Sequence, residues 1–143
     1  MRGKRIRRRN GDRSGASMVE FALILPLLTS VILGILEFGR AMQAVEVAVN
    51  AARVTARRAI LPQSNDSAEL TTRAETAFTN CALPVDGLTV TTKINGSEAD
   101  ISTADRGDEV TVEVAIPFSN VSLITPRFLG SFSVRGSATM RKE

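Results

Sequence analysis

An uninterrupted apolar segment lies close to the amino terminus of this chain. No charged residue occurs from Phe21 to Leu36, and the residues on every face of a helix built from this segment are apolar or small. Such a helix extends about 24 Å, and starting it at Ala16 lengthens it to about 31 Å, close to the ~30 Å hydrocarbon core of a bilayer. The rest of a 143-residue chain is too short to bury it on all sides. We therefore predict a transmembrane helix segment over residues 16–40.

Positive charge is concentrated before that segment. Residues 1–15 contain seven Lys and Arg and one acidic residue, which leaves 11 basic and 14 acidic residues in the rest of the chain. Because basic flanks of a membrane span stay in the cytoplasm, we predict a cytoplasmic amino terminus and an extracytoplasmic carboxyl-terminal domain. That domain is mildly acidic, so no nucleic-acid partner is expected.

Composition excludes several kinds of functional site. The chain has no His, Trp or Tyr, and its one cysteine is Cys81. Catalytic pairs that need an imidazole are therefore ruled out, as are intrachain disulfides and Cys/His metal sites. We expect no enzymatic activity, no cofactor and no metal ion.

Beyond the apolar segment, alanine recurs at helical spacing while polar residues occupy another face, including Glu46 and Arg53. This pattern predicts an amphipathic extension of the first helix over residues 41–61. Its narrow alanine stripe suits close packing, either on the protein's own carboxyl-terminal domain or on a helix of another subunit. The stripe consists of Ala41, Ala44, Ala48, Ala52, Ala56 and Ala59.

Residues 62–143 have the pattern of a small α+β domain. Pro62 ends the first helix, and Asp66 with Glu69 indicates a capping box that begins a second helix. Apolar alternation then predicts strands near residues 88–94, 110–116 and 132–140, with a further short strand at 99–101. The expected fold class is α+β, with a long amino-terminal helix, transmembrane then amphipathic, followed by a second helix and a small antiparallel sheet.

The sequence around the start of the apolar segment, "SGASMVEF", resembles the processing site of type IV prepilins, especially those of tight-adherence (Tad/Flp) pili. The resemblance implies a basic prepilin leader, residues 1–15, that a prepilin peptidase removes by cutting between Gly15 and Ala16. It also implies that Glu20, the fifth mature residue, pairs with the new amine of Ala16 on a neighbouring subunit. The alternative interpretations are that Gly15 is a simple loop glycine and that Glu20 merely marks the membrane interface.

The following residues make the resemblance more specific. "VEFAL" with a proline after it, then "EFGR", then "AAR" and "AR", are similar in order to the TadE-like family of minor pseudopilins over about residues 14–60. Phe21, Pro26, Glu37 and Arg40 belong to these motifs, and Pro26 predicts a kink or an unwound turn because it lacks an amide. The resemblance implies a type IV pilin-like fold.

The same resemblance implies a non-enzymatic pilus protein of the bacterial inner membrane that can enter an extracellular pilus. Its implied partners are prepilin peptidase, other pilins and minor pseudopilins, the inner-membrane assembly platform and the lipid bilayer. An alternative is an uncleaved single-span envelope protein whose outer domain binds a ligand. A secretory signal peptide fits less well, because Glu37 and Arg40 follow the apolar run where small uncharged residues are needed.

Overall fold

The computed structural model describes residues 11–61, 66–123 and 132–142, with side chains from residue 15 onward. Pro62 and most of the predicted leader therefore lie outside the described residues. The chain divides into two compact units, Met1–Leu36 and Glu37–Glu143, and we call the second the head unit. The helices are α1 (Gly11–Ala59), α2 (Ser67–Asn80) and α3 (Phe118–Val121), and the strands are β1 (Thr89–Ile94), β2 (Ser97–Glu98), β3 (Glu109–Pro117) and β4 (Ser133–Arg141).

Helix α1 within the first unit is exposed on every side. All side chains of residues 15–36 are solvent-accessible, as expected for an apolar helix that has no packing partner among the residues that the structure describes. The helix continues through Pro26, so the backbone does not unwind at that residue. Within the apolar run, the hydroxyl groups of Thr29 and Ser30 are satisfied locally, since they donate to the carbonyl oxygens of Leu25 and Pro26, each at 2.8 Å.

In the head unit, the alanine stripe of α1 is buried. Ala44, Ala48, Ala52, Ala56 and Ala59 have no exposed surface, and they belong to the same core cluster as the apolar residues of α2 and β3. The stripe therefore packs on the protein's own carboxyl-terminal domain, which was one of the two alternatives predicted. Small side chains permit this packing because they let other backbone segments approach the helix closely.

The four strands form one antiparallel sheet in the order β2-β1-β3-β4. Val110, Val112, Val114 and Ile116 alternate along β3 and are fully buried. This confirms the α+β class, with a long amino-terminal helix, a second helix and a small antiparallel sheet. The predicted alternation also holds along β4, where Val134 is 1% exposed, but Phe132 lies one residue before the strand and is 58% exposed.

The predicted short strand at 99–101 is wrong by two residues. β2 covers Ser97–Glu98, and Ile101–Thr103 form a 3-10 turn in which the Asp100 side chain accepts a hydrogen bond from the amide of Ser102. The displacement follows from the turn, since Asn95 and Gly96 have positive φ values of 49° and 85° and join Ile94 directly to Ser97. A two-residue turn of this kind places the return strand immediately after the glycine.

Helix α2 begins at a real cap, although the predicted capping box is only half formed. The carboxylate of Asp66 accepts a hydrogen bond from the amide of Ala68 at 2.8 Å. Glu69 instead pairs with Arg58 of α1 at 2.8 Å and with Arg73 at 3.2 Å. These two guanidinium groups lower the pKa of Glu69, and the Arg58 hydrogen bond is the largest cause. Glu69 thus links α1 to α2 rather than capping its own helix.

Candidate processing and assembly site

The predicted cleavage position lies on the exposed surface of α1. Gly15 is helical, and a Cβ added there would have no described heavy atom within 4 Å. Packing within the described chain therefore does not require glycine at this position. Ala16 and Glu20 are also exposed, and they are four residues apart, which places them one above the other on the same helix face. Phe21, adjacent in the motif, is 64% exposed.

Glu37 and Arg40 have a different environment, because both are half-buried in the head unit. The carboxylate of Glu37 accepts one hydrogen bond from the hydroxyl of Ser122 and another from the amide of Leu123 at 3.1 Å. Arg40 donates from its Nε to the carbonyl oxygen of Val121 at 2.9 Å. We call this arrangement the Glu37–Arg40 clamp, since two side chains on one face of α1 hold the three residues at the end of α3.

The clamp partners could not be identified from the sequence. Ser122 and Leu123 are 85 and 86 residues away from Glu37 in the chain, and their side chains carry no charge that would suggest a pair. The only sequence signal was the presence of two opposite charges, three residues apart, immediately after an apolar segment. Such a pair could equally have been an intrahelical ion pair.

The Arg106–Asp108 tripeptide, Arg-Gly-Asp, forms a turn in which the carboxylate of Asp108 is hydrogen-bonded within the protein. The Asp108 carboxylate accepts from the Asn95 side chain and from the Asp105 amide, both at 2.8 Å. These hydrogen bonds, with that from Asn95 the largest cause, lower the pKa of Asp108. Gly107 adopts a φ of 99°, which glycine accommodates without strain. The tripeptide therefore has the hydrogen bonds and the glycine conformation of an ordinary turn.

Two further properties bear on the kinds of function this chain can support. Within the described ranges, no group of three or more His, Cys, Asp or Glu side chains is placed to hold a metal ion. Helix α1 is long and apolar enough, by length and composition, to cross a membrane.

Cys81 has a free, exposed thiol. The backbone carbonyl oxygen of the same residue accepts a hydrogen bond from the side chain of Gln43 in α1 at 3.2 Å.

Comparison with known proteins agrees with the motif-based resemblance. The family model described as TadE-like protein matches residues 15–57, a range that begins at Gly15 and ends within α1. The comparisons with curated proteins and with solved structures gave no match. The matched range contains Gly15, Glu20, Pro26, Glu37 and Arg40. Over residues 15–57, this chain is therefore similar to TadE-like proteins.

Proposed function

We propose that this protein is a minor pilin, or pseudopilin, of the tight-adherence pilus and that prepilin peptidase cleaves it after Gly15. The observation that carries the proposal is the ordered set of motifs inside the TadE-like match, which begins at Gly15. The helix that follows is exposed over residues 15–36 and apolar from Phe21 to Leu36, as required of a segment that first inserts in the inner membrane and is then transferred to a pilus.

The residues at the cut fit the requirements of a membrane protease acting at the cytoplasmic face. Gly15 has no side chain, so an enzyme can approach its backbone closely. Cleavage removes the seven basic residues of the leader and makes Ala16 the new amino terminus. The amine created by hydrolysis of the Gly15–Ala16 peptide bond is protonated near neutral pH, which supplies a positive charge that the precursor does not have at this place.

Glu20 is the proposed ion-pair partner of that protonated amine. Its carboxylate is costly to place among packed apolar helices unless a partner neutralises it. The amine of Ala16 on a neighbouring subunit provides such a partner during assembly. Other pilins and minor pseudopilins of the pilus, together with the inner-membrane assembly platform, are the partners that this model requires. The amino terminus then faces the cytoplasm and the head unit lies outside.

The cleavage proposal is tested by intact mass of the membrane-extracted protein from cells with active prepilin peptidase. We expect loss of residues 1–15, and we expect Gly15→Leu to retain them because the side chain obstructs the peptidase. Gly34→Leu is the matched control, since a Cβ at Gly34 also has no described atom within 4 Å, and it should still be cleaved. An intact leader in the wild-type protein would instead support an uncleaved single-span envelope protein.

The pairing role of Glu20 is tested separately from cleavage. We expect Glu20→Ala to be processed normally but to enter the pilus at a reduced level, because the Ala16 amine loses its partner. Glu46→Ala is the control, since it also removes one exposed carboxylate from α1. Quantitative immunoblotting of sheared pili and of the membrane fraction measures both variants. Incorporation of Glu20→Ala at the wild-type level would exclude the pairing role.

A further inference from the structure

The charged residues Glu37 and Arg40 set the apparent end of the apolar segment at Leu36, but neither presents its charge freely on the surface of α1. Both side chains are half-buried in the head unit, where the clamp to Val121, Ser122 and Leu123 engages them. A bilayer tolerates polar groups only where they are satisfied within the protein. The segment compatible with a lipid environment therefore does not have to end at Leu36.

Every polar side chain between Glu20 and Glu46 has a hydrogen-bond partner within the protein. Thr29 and Ser30 donate to carbonyl oxygens of their own helix. Glu37 and Arg40 form the clamp, and Gln43 donates to the carbonyl oxygen of Cys81. Residues 21–45 of a helix extend about 37 Å, enough for the ~30 Å hydrocarbon core and part of one interface, whereas residues 21–36 extend only about 24 Å.

Apolar side chains are exposed where this extension lies in the head unit. Phe38, Met42 and Val45 of α1 are 67%, 46% and 38% exposed, and their spacing of four and three residues places them on one helix face. Leu123, whose amide binds Glu37, is 61% exposed. We call these four residues the apolar collar. Exposed apolar side chains grouped in this way mark an interaction surface.

We propose that the apolar collar is a lipid-binding surface that inserts into the outer interface of the bilayer. A lipid surface is favoured because Phe38 follows the apolar segment by two residues and no exposed charged side chain of α1 intervenes before Glu46. The remaining N–H groups of the Arg40 guanidinium are suited to lipid phosphates at that depth. This inference rests on the membrane insertion proposed above.

The absence of tryptophan from the chain makes single-tryptophan variants direct probes of depth. We would introduce Met42→Trp and Leu123→Trp separately into the full-length protein in phosphatidylcholine–phosphatidylglycerol vesicles, with and without brominated acyl chains. We expect blue-shifted emission, loss of intensity in brominated vesicles and protection from aqueous acrylamide. Leu28→Trp, in the first unit, is the reference for a residue inside the membrane.

Val54→Trp is the matched control in the head unit. Val54 is 45% exposed, which matches the 46% exposure of Met42. Val54 lies nine residues beyond Val45, the last collar residue of α1, or about 13 Å farther along the helix. It should be quenched by acrylamide and not by brominated lipid. Suppose that brominated lipid quenches Leu28→Trp, whereas Met42→Trp and Leu123→Trp are quenched by acrylamide and not by brominated lipid. The protein would then be inserted in the membrane, and only the lipid-binding role of the apolar collar would be excluded. If Leu28→Trp also escapes brominated lipid, membrane insertion itself fails.

Discussion

Gly136 of β4 lies directly against the backbone of α1. A Cβ added to Gly136 would be 2.3 Å from the carbonyl carbon of Ala48 and 2.3 Å from the amide nitrogen of Val49. Both obstructing atoms belong to helix backbone, which cannot rotate away as a flexible side chain can. The glycine is therefore required by close approach of two backbones rather than by an unusual φ angle, and Ala48 contributes by presenting only a methyl group beside the contact.

We predict that Gly136→Ala destabilises the head unit by about 1–3 kcal/mol or more, the usual cost of overpacking a close-packed core. Thermal unfolding of the detergent-solubilised protein, followed by circular dichroism, measures the change. Gly39→Ala is the control, because a Cβ at Gly39 has open space in a helix and should be neutral or stabilising by up to about 1 kcal/mol. Equal melting temperatures for Gly136→Ala and the wild type would contradict the close approach.

At the scale of elements, the Glu37–Arg40 clamp connects the start of the head unit to the end of α3. Glu37 holds the Ser122 hydroxyl and the Leu123 amide, while Arg40 holds the Val121 carbonyl oxygen. The three bonds restrain consecutive residues, so loss of one side chain leaves the other to hold the same short segment. The clamp also gives both side chains hydrogen-bond partners within the protein, which is the condition for the lipid-binding collar.

We predict that Glu37→Ala and Arg40→Ala each destabilise the head unit by about 1–3 kcal/mol, because each leaves a partly buried polar partner without its hydrogen bond. Their effects should be non-additive by about 0.5–3 kcal/mol, since both act on residues 121–123. Amide hydrogen exchange of Leu123 should accelerate most in Glu37→Ala. Glu46→Ala, on the exposed face of α1, should change stability by no more than about 0.5 kcal/mol. Strictly additive effects would show that the two side chains act independently.

At the scale of the whole molecule, stability of the head unit should decline in acid. The pKa values of Glu69, Asp100 and Asp108 are lowered by hydrogen bonds to Arg58, Ser102 and Asn95 respectively, each the largest cause. A carboxyl group whose pKa is lowered on folding stabilises the native state above its unfolded pKa, near 4. That contribution is lost as the pH falls through the lower, folded-state value.

We therefore predict that the melting temperature of the head unit is steady near neutral pH and falls below about pH 4.5. The carboxylates are exposed and screened by solvent, so each contribution is small. Asp108→Asn should reduce the slope of the acid limb, because one of the three linked groups no longer titrates. A Glu98→Gln variant controls for removal of a carboxylate from the same sheet. If the melting temperature of Asp108→Asn falls with pH as steeply as that of the wild type, Asp108 does not contribute to the loss of stability in acid.

Local sequence patterns were sufficient for most of the elements of this protein. The apolar run, the alternation along β3, the Asn95-Gly96 turn and the Asp66 cap each depend on neighbours a few residues away, so the residues themselves specify them. The motifs around Gly15 and Glu20 could also be recognised from the sequence, and the TadE-like match covers both residues. The error at residues 99–101 concerned a boundary, which depends on how tightly the preceding turn closes.

Contacts between distant residues were decided only by the tertiary structure. The alanine stripe was compatible with the head unit or with another subunit, and its burial against the core selected the first. The strand order, the requirement for glycine at position 136 and the partners of Glu37 and Arg40 also depend on residues tens of positions apart. Periodicity identifies the face of an element that is buried or polar, whereas the identity of its partner depends on how the chain folds back upon itself.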